Sequence, residues 1–162
     1  MMRKEILPRR PVESTSLEGE IPIADVAKVQ VTSETADHPI DNAFDGSRGP
    51  GGTRWVAEEP GEQLVILVFD TPQTIRRISV EVEELAVSRT QELAVSASFD
   101  GGRTYRDLVR QEYHFSPPGT TFEKEVWSVV ADAVTHLRVA IRPDKGGRVG
   151  RATLTSLAVG PR

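Results

Sequence analysis

An all-β fold, a single sandwich of about eight antiparallel strands, is predicted by three observations. Short runs alternate apolar and polar residues with a period of two. No long segment carries a helical period. Clusters of Gly, Pro and Asp punctuate the chain about every eight to twelve residues. The length of 162 residues suits one domain that buries a core without staples. The absence of cysteine excludes a disulfide framework and a cysteine zinc site, and suits a reducing compartment.

The elements follow in chain order. Residues 1–22 mix Pro8, Pro11, Pro22 and Gly19 with Ser14, Ser16 and charges, the composition of an extended N-terminal arm. The sandwich domain is expected over residues 23–162. Val29 and Val31 alternate with polar neighbours in a first strand. Ile40 to Phe44 is the one short helical segment, with Asp37 as its expected N-cap. Leu64 to Phe69 is continuously apolar, as for a central strand buried on both faces. Ile78, Val80 and Val82 alternate with Ser79, Glu81 and Glu83, a half-buried strand with a wet face. Leu93, Val95, Ala97 and Phe99 repeat the alternation. Leu108, Phe122 to Val130, the trio Leu137, Val139 and Ile141, and Leu154 to Val159 mark the remaining strands. Trp55 and Trp127 are expected in the core.

Several function classes are excluded or disfavoured. No apolar run approaches membrane-spanning length. The basic start, Arg3-Lys4 and Arg9-Arg10, has no apolar stretch of a signal peptide behind it, so a cytoplasmic location is expected. A net charge of −4 gives no general attraction for nucleic acid. No phosphate loop, dinucleotide fingerprint or nucleophile elbow occurs. His38, His114 and His136 have no metal-ligand spacing. Glu58-Glu59 and Glu83-Glu84 are adjacent in sequence, whereas a glycosidase holds two acids across a cleft, about 5–9.5 Å apart. A non-catalytic chain is therefore expected.

The segment His38-Pro39-Ile40-Asp41-Asn42-Ala43-Phe44-Asp45-Gly46, then Thr53-Arg54-Trp55 and the strand Gln63 to Phe69, resembles the opening of the galactose-binding-like jelly rolls, the discoidin or coagulation-factor C-type domains. The likeness extends through Ile75 to Val82, the turn Ser98-Phe99-Asp100-Gly101-Gly102, His136 to Ile141, and Leu154 to Gly160, covering most of the chain from about Ala24. It implies a β-sandwich jelly roll used as a binding module. It also implies a structural calcium, held by Asp45, the Thr53 hydroxyl and backbone carbonyls between Ala43 and Thr53. The carboxylate that usually helps from the closing strand is replaced here by Ser156. Intracellular proteins with related features, a small intraflagellar-transport subunit and the N-terminal domain of a single-strand-break repair scaffold, imply protein interaction as the alternative.

Candidate ligand residues are those placed on the expected loops: His38, Arg48, Arg54, Arg103, Tyr113, His114 and Arg148. Between Val134 and Arg162 six bases meet one acid, leaving +5 there and −9 in the rest of the chain. Arginine forks suit carboxylates and phosphates. The alternative is a solvated surface with strand ion pairs. Tyr113 and Phe115, flanking His114, either form an aromatic surface for sugar or peptide or are buried together on one side of a hairpin. Ser98 to Tyr105 also fits an Asp-box, read as a hairpin lock. The expected ligand is a carbohydrate or other polar molecule, or else a protein partner.

Overall fold

The computed structural model describes residues 19–147 and 150–162. Eight strands run β1 Ala27–Val31, β2 Trp55–Val56, β3 Gln63–Glu83, β4 Arg89–Ser98, β5 Arg106–Phe115, β6 Phe122–Arg142, β7 Thr153–Leu154 and β8 Ser156–Gly160. A four-residue helical turn, Ile23–Val26, leads into β1. The architecture is the all-β sandwich expected from the alternation.

Two strands make the fold. β3 and β6, each 21 residues long, stay antiparallel to one another from Gln63↔Ile141 to Glu83↔Phe122. Register shifts between Val68 and Arg77, with Ala133 at a φ of 59°, bend the pair near its middle. Bulges of this kind raise local twist and turn a corner between layers. The first half of β3 and the second half of β6 sit in one layer, in the order β1-β3-β6-β4-β5. The other halves join β8 in the second layer, where Ile78 pairs with Val159 and Trp127. A two-strand piece, β2 with β7, closes one end.

Sequence alternation becomes burial. Val65, Leu67, Leu93, Val95, Leu137, Val139 and Ile141 from the first layer meet Ile78, Val80 and Val159 from the second, all at most 1 % exposed. Each such side chain contributes about 1.5–3 kcal/mol by leaving water. Leu64, Ile66 and Val68 are only half-buried. The 64–69 run is therefore covered on one face by the core and only partly on the other, not buried on both. Trp55 is fully buried and its indole N–H donates to the Ser33 carbonyl at 3.0 Å. Trp127 packs against the core half-buried, because its strand lies at a sheet edge.

Three local expectations are corrected. Ile40–Phe44 is a 3₁₀ turn preceded by Pro39 with no side-chain cap from Asp37. Glu34 supplies that acceptor instead, taking the Ile40 N–H at 2.8 Å. Leu154 to Val159 is not one strand: Leu154 pairs with Trp55 in β7, and from Ser156 the chain pairs with β3. Glu81 and Glu83 do not face water. They are 4 % and 5 % exposed and lie beneath the glycine-rich loop described below. Among the described residues no helix is long and apolar enough to cross a membrane.

Candidate functional site

Strand register sorts the loops into two ends. β4 runs from Arg89, paired with Phe115, to Ser98, paired with His136. Residues 32–62, 84–88, 116–121, 143–147 and 150–152 gather at the Arg89 end. The 99–105 turn lies at the other end. Ten strand residues at about 3.3 Å each separate the two ends by about 30 Å.

At the Arg89 end a groove of about 250 Å³ is lined by the β2–β7 ribbon, with Arg54, Val56, Arg151 and Thr153, and by Glu83 to Val87, Arg89 and Gly150. Its walls are tied beneath by Arg89, whose side chain is 1 % exposed. That guanidinium donates to Glu84 Oε1 at 2.8 Å, to the Pro143 carbonyl at 2.7 Å and to Gln91 Oε1 at 3.2 Å. Gln91 in turn donates to the Thr153 carbonyl and accepts from the Thr153 N–H. Burial alone would push the Glu84 carboxyl up. The Ala86 amide, Arg89 and the Val87 amide outweigh it and hold the group below its ordinary value. Gly150, at a φ of 80°, sits where an added Cβ would lie 2.7 Å from Arg89 Cδ.

A neighbouring cavity of about 370 Å³ is lined by Pro60, Gly61, Arg142, Pro143, Asp144, Lys145 and Gly147. Lys145 bonds to Glu112, which holds the Glu112 carboxyl below its usual range. Arg142 reaches Glu92 at 3.7 Å. The rim of this end is thus mixed, cations paired with carboxylates, with Asp144, Glu83 and Glu84 among the lining residues.

The candidates from sequence distribute unevenly. Arg54 lines the groove, and its carbonyl accepts from Asn42 Nδ2 at 2.9 Å. His38 is half-buried beside β2, its carbonyl taking the Val56 N–H. His114 is exposed on the outer face, 3.0 Å from the Thr90 hydroxyl. Arg48 turns away from the groove to make two bonds to Glu20, at 3.0 and 2.9 Å. Arg148 lies outside the described residues. Tyr113 is corrected: it is 2 % exposed, packed 6.4 Å from the Phe115 ring, with its hydroxyl buried and unpartnered. Both rings share one parity of β5, so the hairpin points them inward together. Arg103 is corrected as well, since it stands at the opposite end.

That distant turn is a hairpin lock. Asp100 accepts from the Thr104 hydroxyl at 2.7 Å, from the amides of Thr104 and Arg103, and from the Ser98 hydroxyl. The Thr104 hydroxyl bond foremost holds its carboxyl far below the usual aspartate range.

The loop that would hold calcium is closed by its own bonds. Asp45 accepts from the Ser47 N–H at 2.9 Å and from the Thr53 hydroxyl at 2.5 Å. The Asp45-Gly46 turn needs the positive φ of 82° that Gly46 supplies. Glu81 takes the Gly49 N–H at 2.7 Å, and Glu83 takes that of Gly51 at 3.0 Å. Calcium wants six to eight oxygens. Here Asp45, Glu81 and Glu83 all meet the loop, each taking one of its amides or hydroxyls, and no group of three or more His, Asp or Glu suited to a metal occurs among the described residues.

Arg89, Gln91, Glu84 and Arg151 are not singled out by any motif. Arg151 carries the one available signal, membership of the basic C-terminal stretch.

No family model and no curated protein matches the chain. Solved structures do. The chain is similar to the third family 32 carbohydrate-binding module of a family 31 glycoside hydrolase from Clostridium perfringens, with a TM-score of 0.66 and 13 % identity over 90 % of this chain and 96 % of that one. It is similar to the family 32 module of NanJ from C. perfringens, solved with galactose, at a TM-score of 0.61 and 15 % identity over 88 % and 98 %. It also matches the family 32 module of AlyQ, solved with 4,5-unsaturated mannuronic acid, at 0.56 and 18 % over 83 % and 95 %. The fold is that of the galactose-binding-like, discoidin-type jelly rolls.

Proposed function

We propose that this chain is a non-catalytic carbohydrate-binding module, taking an anionic sugar in the groove at the Arg89 end. The observation that carries the reading is that Arg54 and Arg151, on the two neighbouring segments of the β2–β7 ribbon, both line one groove. A guanidinium fork pairs with a carboxylate through two parallel bonds and keeps its charge at every working pH. Trp55, Tyr113 and Phe115 are buried and Phe44 and Phe122 half-buried, so this reading rests recognition on charge and hydrogen bonds rather than on an exposed stacking ring. The modules with this fold that were solved with galactose and with an unsaturated mannuronic acid support the ligand class. The jelly-roll loop at Asp45 stands without calcium in this reading, since backbone amides and a hydroxyl occupy its carboxylates.

Calorimetric titration with oligomannuronate and with galactose oligosaccharides tests the site. Arg54→Ala and Arg151→Ala are each expected to weaken uronate binding by about tenfold or more, the worth of a charged hydrogen bond. Unchanged affinity in both variants would remove the groove from the reading.

A second reading, a protein-interaction module, is favoured by one feature: the half-buried Leu64, Ile66 and Val68 on the outer face of the first layer. Binding of a protein by the purified chain that is lost in Ile66→Lys, with no glycan binding, would support it.

A further inference from the structure

We propose that the Phe122–Val130 half of β6 pairs with the same strand of a second copy, joining the second layers of two protomers into one continuous sheet. In the second layer this half-strand pairs with β3 on one side, from Arg77↔Ser128 to Glu83↔Phe122. Among the described residues no strand pairs with its other side. A row of backbone donors and acceptors is therefore open, the arrangement that recruits another strand.

The segment carries three charges, Glu123, Lys124 and Glu125, and the Val130 carbonyl at its end accepts from Arg106 at 3.2 Å, so the open stretch is Phe122 to Val129. It holds no proline, and its register with β3 is regular from Ser128 to Phe122. Val126 and Val130 are 50 % and 69 % exposed, two of the four exposed large apolar side chains among the described residues.

The segment is self-complementary, which selects a second copy as the occupant. Phe122, Lys124, Val126, Ser128 and Val130 share one face, reading apolar, polar, apolar, polar, apolar and symmetric about Val126. An antiparallel two-fold placed at Val126 sets Val126 against its own counterpart. It sets Lys124 opposite Ser128 of the second copy, and Phe122 opposite Val130. On the other face Glu125 meets Trp127, and Glu123 meets Val129. No like charges stand directly opposite, the arrangement that destabilises cross-strand pairs. Shifting the axis to Glu125 would put two carboxylates face to face. The interface is isologous and closed, so it stops at a dimer.

Sedimentation of the full chain over a wide concentration series tests the pairing. A monomer–dimer equilibrium is expected, and Val126→Lys should abolish it by placing two ammonium groups together on the axis, with circular dichroism and melting kept near the parent's. The chain has no cysteine, so single-cysteine variants are clean reporters. Val126→Cys should cross-link on oxidation far faster than Lys28→Cys on the edge strand β1. A monomer at every concentration, a dimer that survives Val126→Lys, or equal cross-linking from both positions would overturn the proposal.

Discussion

Replacing Arg89 by Met tests how the groove is held together. Methionine fills the space of the aliphatic stem but makes none of the bonds to Glu84, Gln91 and the Pro143 carbonyl. The Glu84 side chain, 12 % exposed, is left without its counter-charge. Breaking a buried ion pair from one side costs about 3–5 kcal/mol. Glu84 keeps the Ala86 and Val87 amides, which places the loss near the lower end, about 3 kcal/mol. For a chain of this size each kcal/mol moves Tm by about 2–4 °C, so a fall of about 6–12 °C is expected. Urea unfolding followed by fluorescence of Trp55 and Trp127 measures it alongside calorimetry. The double variant Arg89→Met with Glu84→Gln should recover part of the loss, because it leaves no unpaired charge. Glu84 has a folded pKa below its ordinary value. The stability it contributes is present above the ordinary glutamate pKa of about 4.3 and is lost as pH falls through the depressed one. The gap between parent and Arg89→Met should therefore narrow in acid. A variant melting within about 1 °C of the parent at neutral pH would show that Arg89 does not tie these walls.

Three further outcomes are expected. Glu81→Ala, which strips the Gly49 amide of its acceptor, should cost about 1.5–3 kcal/mol and weaken glycan binding through the loop that carries Arg54; a parent-like melt would refute the anchor. Chelation should leave Tm unchanged, and a rise in Tm on adding calcium to chelated protein would restore the ion to the Asp45 loop. Asp100→Ala should lower Tm above the ordinary aspartate pKa of about 3.9, with the difference disappearing as pH falls toward the depressed folded value, while glycan binding about 30 Å away is untouched; loss of binding would bring the turn into the site.

Much of the fold is legible in side-chain parity. The alternation at Ile78, Val80 and Val82, and at Leu93, Val95 and Ala97, states which face meets the core, and burial follows it. Parity does not state what covers the other face. Glu81 and Glu83 read as wet because nothing local reveals that a loop 32 residues earlier, at Gly49 and Gly51, will lay its amides on them. The two bent strands read as four for a similar reason: Asp70 to Thr74 and Asp132-Ala133 look like turns, yet pairing between β3 and β6 continues through the corner. The site is legible only where a motif fixed a loop. Thr53-Arg54-Trp55 puts Arg54 at the groove, since Trp55 anchors in the core beside it. Arg103 was attractive as an exposed turn cation, but the parity and length of β4 carry it to the far end. Arg89 and Gln91 share the parity of Leu93 and Val95, but no motif marks them, and the tertiary approach of Pro143 and Thr153 makes them a buried frame.

A screen of the purified full chain against an array of neutral and acidic glycans, run with calcium and again with chelator, tests the central claim most directly. The account predicts reproducible, competable binding to uronate-containing glycans, equal in both conditions and lost in Arg54→Ala with Arg151→Ala. A folded chain that binds no glycan in either condition would contradict it.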